Sequence, residues 1–328
     1  MGDCVLNTLT LSAIDEAYER IHDVVHRTPI IRNHSLAEIA NCDLVLKAEN
    51  LQRTGSFKIR GAFNKTAQVY EAGGSGVVTG SSGNHGAATA WAARYFKLHS
   101  HLVLPENAMP EKVEAARHYG ADIEFLGTTS QERLERAQAI SHNLGLSFTA
   151  PFDAPDVMAG QGTIGLEILH QLPEVEFILV PVGGGGLIAG IATAIKGKRP
   201  DVRVIGVEPV GAPKAYQSRQ QGRRIVLKFT DTIADGLKTS SLGEKTYPII
   251  ERLVDDIVQV DDNEIRRAMF LLLSRQKMLA EPSGAATLAY ALRKPNRLHH
   301  RKTVAVISGG NIDAATLFHL FDSYASTS

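Results

Sequence analysis

"VPVGGGGLIAG", residues 180–190, runs a stretch of apolar residues into four consecutive glycines and then into a helix-like apolar stretch. The upstream "FILVPV" (177–182) is nearly all apolar, as expected of a strand covered on both faces. The downstream "GLIAGIATAIKG" (186–197) reads as a helix. Strand, tight loop and helix in that order are part of a βαβ unit, which predicts an α/β fold with mostly parallel sheets. Glycines let backbone N–H groups close around an anion, and the helix N-terminus adds partial positive charge. Phosphate is the predicted guest of Gly183, Gly184, Gly185 and Gly186. No Lys-Ser/Thr pair follows, so the loop is not of the Walker type. Gly183, Gly185 and Gly190 come near the dinucleotide spacing without matching it.

Outward from this unit the alternation recurs. "VRVIGVE" (202–208) reads as a strand, followed by a looser stretch over 209–245. Helices are predicted at "NEIRRAMFLLLSRQK" (263–277) and "SGAATLAYALR" (283–293), then a strand at "TVAVI" (303–307). In the other direction, "GQGTIGLEILHQL" (160–172) is a helix. Before it lies a strand–helix series: "GVVTG", "NHGAATAWAARYF", "HLVLP", "PEKVEAARHYG", "DIEFL" and "SQERLERAQAISHNLG". "DLVLKAE" (43–49) alternates like a strand, and "SFKIRGAFNKTAQVY" reads as a helix opening at Ser56. Ser12 to Asp15 fits a capping box for a first helix. "EAGGSG" (71–76) is the linker candidate. These assignments predict two domains. Residues 1–75 and 150–328 form a discontinuous larger domain, and 76–149 form a smaller inserted one.

The chain has 328 residues, enough for cores of this kind. Its formal net charge is +0, so no global field favours nucleic acid or a membrane surface. Two cysteines, Cys4 and Cys42, are too few for a disulfide framework and point to a reducing, cytoplasmic setting. The N-terminus lacks a basic segment followed by an apolar run, so no secretory signal is expected. Leu6 stands where a myristoylation motif at Gly2 needs Ser or Thr. Little chain follows Asn311, so a C-terminal regulatory domain is not expected. His22 and His26 sit four apart on a helix with no evident third ligand, so no metal site is assigned there.

Three further stretches could carry chemistry. "TGSSGNHGAA" (79–88) is a strand, a small polar loop and a helix start, suited to a carboxylate. Its alternative is a capped helix start with Ser82 or Asn84 as N-cap. "TGSFKIRG" (54–61) places Lys58 among apolar residues and another cation, a setting expected to lower its pKa. A neutral lysine can form a Schiff base. "ISGGN" (307–311) ends a strand, with Ser308 beside two glycines. A phosphate cradle, a carboxylate loop and such a lysine together meet the needs of pyridoxal phosphate acting on an amino acid.

"TGSFKIRG", "SSGNHG", "AGQGTIGLEI", "PVGGGGLIAG", "VDDI" and "SGGN" resemble the fold-type II pyridoxal-phosphate enzymes that include threonine dehydratase and serine racemase. The resemblance runs from about residue 15 to 315. It implies a fold like that of the tryptophan synthase β chain, with pyridoxal 5'-phosphate between two α/β domains, each an open twisted sheet flanked by helices. It implies that Lys58 links the cofactor and removes the substrate α-proton. Phe57 would pack beside the ring, Asn84 would bond the ring hydroxyl and Ser308 would face the ring nitrogen. Ser81, Asn84 and His85 would hold the substrate carboxylate. The implied activity is a lyase reaction: elimination of the β-hydroxyl from L-threonine or L-serine, giving a 2-oxo acid and ammonia. A homodimer or tetramer is implied as well.

Three positions sharpen the expectation. Ser82 stands where serine racemases of the family carry a second-face base; its other reading is a helix cap. Arg133 stands where some relatives carry an arginine near the substrate side chain; its other reading, given slight preference, is a solvated helix residue. Family members that bind a divalent cation use a glutamate, a carbonyl and an aspartate. Here Glu208 and Ala212 match, but Lys214 takes the aspartate's place, so divalent-metal dependence is expected to be weak or absent. Rival readings are a serine or aspartate racemase, a threo-3-hydroxyaspartate ammonia-lyase and, more distantly, a non-catalytic binder of phosphate-bearing ligands.

Overall fold

Alternate residues of the central strands feed two different cores. Leu179 and Ala305 pack on one face of their sheet, Val180 and Val304 on the other, because side chains of a strand alternate. A computed structural model describes residues 9–81, 83–106, 108, 110–127 and 129–325. In chain order the strands are β1 (Ile30–Arg32), β2 (Asp43–Ala48), β3 (Gly76–Thr79), β4 (His99–Leu104), β5 (Asp122–Phe125), β6 (Ser147–Phe148), β7 (Phe177–Pro181), β8 (Arg203–Pro209), β9 (Asp256–Val260) and β10 (Lys302–Ile307). They form a six-stranded sheet, β1-β2-β10-β7-β8-β9, and a four-stranded sheet, β5-β4-β3-β6. Every pairing is parallel except β1 with β2.

Helices cover both sheets. The first eight are α1 (Leu11–Ile21), α2 (His34–Ala40), α3 (Lys58–Glu71), α4 (Asn84–Phe96), α5 (Pro110–His118), α6 (Ser130–Leu144), α7 (Pro155–Gln171) and α8 (Gly186–Lys198). After them come α9 (Lys214–Gln221), α10 (Thr246–Leu253), α11 (Asp262–Leu271), α12 (Pro282–Ala291) and α13 (Ala314–Ala325). Ile14, Ile164, Ile168 and Ile191 from α1, α7 and α8 fill one face of the larger sheet. Leu36, Ile265, Ala285 and Leu288 from α2, α11 and α12 fill the other. The link between the sheets is apolar too: Ile59, Ala62, Phe63 and Ala67 of α3 meet Ala88 and Ala92 of α4. Among the described residues no helix is long and apolar enough to cross a membrane.

Several boundaries differ from the sequence expectation. The first helix is capped by Thr10, whose Oγ1 accepts from the Ala13 N–H at 3.1 Å, rather than by Ser12. Helix α3 opens at Lys58 rather than Ser56, because Ser56 is drawn into an antiparallel bridge with Gly309. Helix α7 starts at Pro155, ahead of the "GQG" triplet, since Pro suits a first turn. The looser stretch contains α9 and a short 3₁₀ turn at Asp235–Leu237.

Candidate active site

Because β2 and β10 run parallel with Ala48 beside Ile307, the segments that follow them leave the sheet at the same end. They are stapled together there. The Phe57 N–H donates to Ser308 O at 3.0 Å, and the Gly310 N–H donates to Gly55 O at 2.9 Å. Asn311 Nδ2 donates to Thr54 O at 2.7 Å. Gly55 sits at φ +72°, and a Cβ there would lie 2.1 Å from the Asn311 side chain. "TGSFK" and "SGGN", far apart in the chain, are thus one structural unit, and Ser308 is buried within it.

Lys58 is the first residue of α3. Its Nζ donates to Pro151 O at 2.6 Å and lies 5.2 Å from the centre of the Phe57 ring. Burial lowers its pKa to about 8, with the negative charge of Glu281 opposing. The lowered pKa matches the sequence expectation, and its cause is burial. Arg60, the neighbouring cation, turns away into ion pairs with Glu49 and Glu167.

The segment that holds the Lys58 amine also lines the glycine loop. Phe152 follows Pro151, and a Cβ on Gly184 would come within 2.5 Å of its ring. A Cβ on Gly186 would be 2.8 Å from Phe152 O, and one on Gly183 would be 2.8 Å from Gly236 O. Gly185 sits at φ +96° against Thr246. Four glycines are therefore required by packing as well as by any anion. Thr246 Oγ1 donates to Gly184 O at 2.7 Å, and Asp153 caps the start of α10 by accepting from the N–H groups of Glu244, Lys245 and Thr246. The first N–H groups of α8 have no acceptor within the helix and are potential phosphate donors.

In the loop at 79–88, Gly83 rather than Asn84 occupies the cap position of α4. Asn84 instead reaches across to the larger sheet: its Nδ2 donates to Glu281 Oε1 at 2.8 Å, and its Oδ1 accepts from Asn311 Nδ2 at 2.8 Å. His85 is buried, with Nε2 at 3.1 Å from Thr149 O and Nδ1 without a partner. Burial, and next the nearby Lys58, push its pKa down to about 3, so the ring is neutral near pH 7. A Cβ on Gly86 would strike Ser81 O, which holds Ser81 against the first turn of α4. Ser82 lies outside the described residues.

Glu281 is the site residue that sequence reasoning missed. It stands at the N-cap position of α12 with Pro282 behind it, and an acid before a helix start reads as an ordinary terminus. Only tertiary structure turns it toward Asn84 and Lys58.

Arg133 is not the solvated residue that received slight preference. It is 8% exposed, while its neighbours Glu132 and Arg136 take surface partners in Thr129 and Glu124. A Cβ on Gly80 would lie 2.5 Å from Arg133 O, so this turn of α6 packs on the start of the asparagine loop. Burial lowers its pKa, opposed by Glu132 and by Asp235 of the 3₁₀ turn. Lys214 is buried on another side of the glycine loop. Its Nζ donates to Val182 O at 2.8 Å, Leu237 O at 2.9 Å and Ala212 O at 3.2 Å, and lies 3.4 Å from Glu208 Oε2. Burial lowers the Lys214 pKa and raises that of Glu208, each opposed by the partner's charge. Three carbonyls around the amine favour its ammonium form.

Taken together, these residues fit a phosphate-bearing aldehyde. The amine is desolvated, the loop offers backbone donors, and Ser56 Oγ, Thr54 Oγ1, Thr149 Oγ1 and His85 Nδ1 are buried without partners among the described residues. Comparison with known proteins agrees. The model of the pyridoxal-phosphate dependent enzymes matches residues 21–309. The chain is 46% identical over 310 residues to the L-threonine ammonia-lyase of Geobacter sulfurreducens, covering 94% of this chain and 77% of that protein. It is 40% identical over 317 residues to the serine racemase of Arabidopsis thaliana, covering 95% and 96%. The structure of maize serine racemase superposes with a TM-score of 0.91 at 38% identity, covering 98% of this chain and 99% of that one. The chain belongs to the family of pyridoxal-phosphate dependent enzymes.

Proposed function

We propose that the protein is a dehydratase that converts L-threonine or L-serine to a 2-oxo acid and ammonia. The carrying observation is the Lys58 amine, desolvated to a pKa of about 8 and held by a single carbonyl. A base whose pKa lies near the working pH is suited to proton abstraction. When bound, pyridoxal phosphate supplies the electron sink for negative charge at the substrate α-carbon. Lys58 would hold it, and its Nζ, once free, would take the α-proton. Gly183 to Gly186 would bind its phosphate, Phe57 would pack beside its ring and Ser308 would face its ring nitrogen. Ser81, Asn84 and neutral His85 orient the substrate carboxylate, while Glu281 and Asn311 fix the rotamer of Asn84.

Residues 76–149 act as a small domain inserted into 1–75 and 150–328. Their closure over substrate excludes water and brings Arg133 toward the substrate side chain. The positive charge beside Glu208 comes from Lys214, so a divalent cation is not needed there.

The test is the initial rate of 2-oxo acid release from L-threonine, L-serine and L-threo-3-hydroxyaspartate, with pyridoxal phosphate added. Release from threonine or serine is expected. Release from hydroxyaspartate alone would make Arg133 the specificity residue. The likeness to serine racemases supports a second reading, racemisation through Ser82 on the opposite face. Ser82→Ala would then abolish racemisation and spare elimination from the L-substrate.

A further inference from the structure

The geometry points to Arg60 as a positioning residue: clamped by Glu49 and Glu167, it mounts the first turn of α3 so that the Lys58 amine is aimed at the reacting atoms. The inference rests on the role proposed for Lys58. The two residues are two positions apart, roughly 200° around a helix, so their side chains leave opposite sides of one turn. Lys58 faces Pro151 and the glycine loop, and Arg60 faces the interior.

The clamp is complete. Arg60 Nε and Nη2 donate to the two oxygens of Glu49, both at 2.8 Å. Nη1 and Nη2 donate to the two oxygens of Glu167 at 2.7 and 2.9 Å. Thr163 Oγ1 and His26 O accept the remaining contacts at 3.1 and 3.2 Å. The carboxylates are secured in turn. Thr28 Oγ1 donates to Glu49, and Lys47 Nζ donates to Glu167 Oε2, Thr28 O and Gln171 Oε1. Two cations and two carboxylates sum to zero charge. One guanidinium thereby ties α3 to α7, to the turn after β2 and to the segment before β1.

Stability alone gives weak grounds for such a cluster, since apolar packing of the same volume often serves as well or better. What a planar fork adds is direction. Direction matters at this turn because α3 has no side-chain N-cap and Lys58 is its first residue. A fraying first turn would carry Nζ with it.

The test compares Arg60→Lys with Leu36→Ala, a core truncation on α2 in the other core cluster. In Arg60→Lys, covalent attachment of pyridoxal phosphate to Lys58, followed by absorbance, should slow about 10- to 100-fold. In the cofactor-free chain, reductive methylation of Lys58 read by mass spectrometry should show its pH midpoint moving up from about 8. With added cofactor, kcat should fall by a similar factor while KM changes little. Leu36→Ala should lower Tm and leave all three readouts at the parent values. Equal attachment rates and labelling midpoints in Arg60→Lys and the parent would overturn the inference, whatever the loss of Tm. If Arg60→Lys does not fold, Thr163→Val removes a single contact of the clamp: slowed attachment supports the mount, and parent-like attachment overturns it. A parent chain that takes up no pyridoxal phosphate would refute the proposed function instead. The labelling midpoint of Lys58 in Arg60→Lys would still test the mount.

Discussion

Lys214 and Lys58 are both withdrawn from water, yet their surroundings differ. The Lys214 amine has three carbonyls and a carboxylate around it. Among the described residues the Lys58 amine has one carbonyl, with Glu281 near enough to oppose the fall in its pKa. A buried ammonium with every proton accepted is a structural cation. An amine with one acceptor is left free to exchange its proton and attack an aldehyde. The contrast separates chemistry from architecture without reference to position in the chain. Lys47, bonded to Glu167, Thr28 and Gln171, falls on the architectural side.

The hardest blow to this contrast would come from Lys58→Ala. It should cut turnover on the order of 10⁴-fold or more while barely moving Tm. Steady-state kinetics beside a thermal melt check this, and residual activity within tenfold of the parent would remove Lys58 from the chemistry. Lys214→Met should act the other way. Leaving Glu208 buried and unpaired costs about 3–5 kcal/mol, read by urea unfolding, and pairing the change with Glu208→Gln should recover most of it. A Lys214→Met protein as stable as the parent would mean the ammonium is not structural.

Glu281→Gln sharpens the comparison more gently. The carboxylate raises the Lys58 pKa against burial, so its removal should lower that pKa further. The acid limb of the pH–rate profile, where Lys58 gains its proton, then moves to lower pH. A limb that stays in place, or moves up, would show that Glu281 does not sense the amine. His85 should contribute no limb near neutrality, since its pKa lies at about 3. The smallest effect is expected from chelation, which should leave the rate unchanged because Lys214 already supplies a cation beside Glu208. Loss of activity restored by magnesium would contradict this.

Much of the site was legible in the residues because its parts are local. The strand–glycine–helix unit at 177–198 and the helix after "SSGN" carry their signals within a dozen positions. Lys58 was legible the same way, from its apolar neighbours in "TGSFKIRG". Arg133 and Glu281 were misread or missed for one reason. A charged residue on a helix looks solvated until another element covers it, and helix α6 and the start of α12 offer no local sign of what packs there.

The sequence by itself determined the α/β class, the glycine loop, the lysine of lowered pKa and the family likeness, because periodicity, backbone freedom and short motifs act over neighbouring residues. Tertiary structure alone decided that α3 begins at Lys58, that Asn84 bonds Glu281 and Asn311, and that Arg60 and Lys214 are sealed among carboxylates and carbonyls. Those outcomes depend on groups far apart in the chain, or on opposite sides of a turn. Burial, and the pairing of the charges it encloses, exist only once the chain has closed around them.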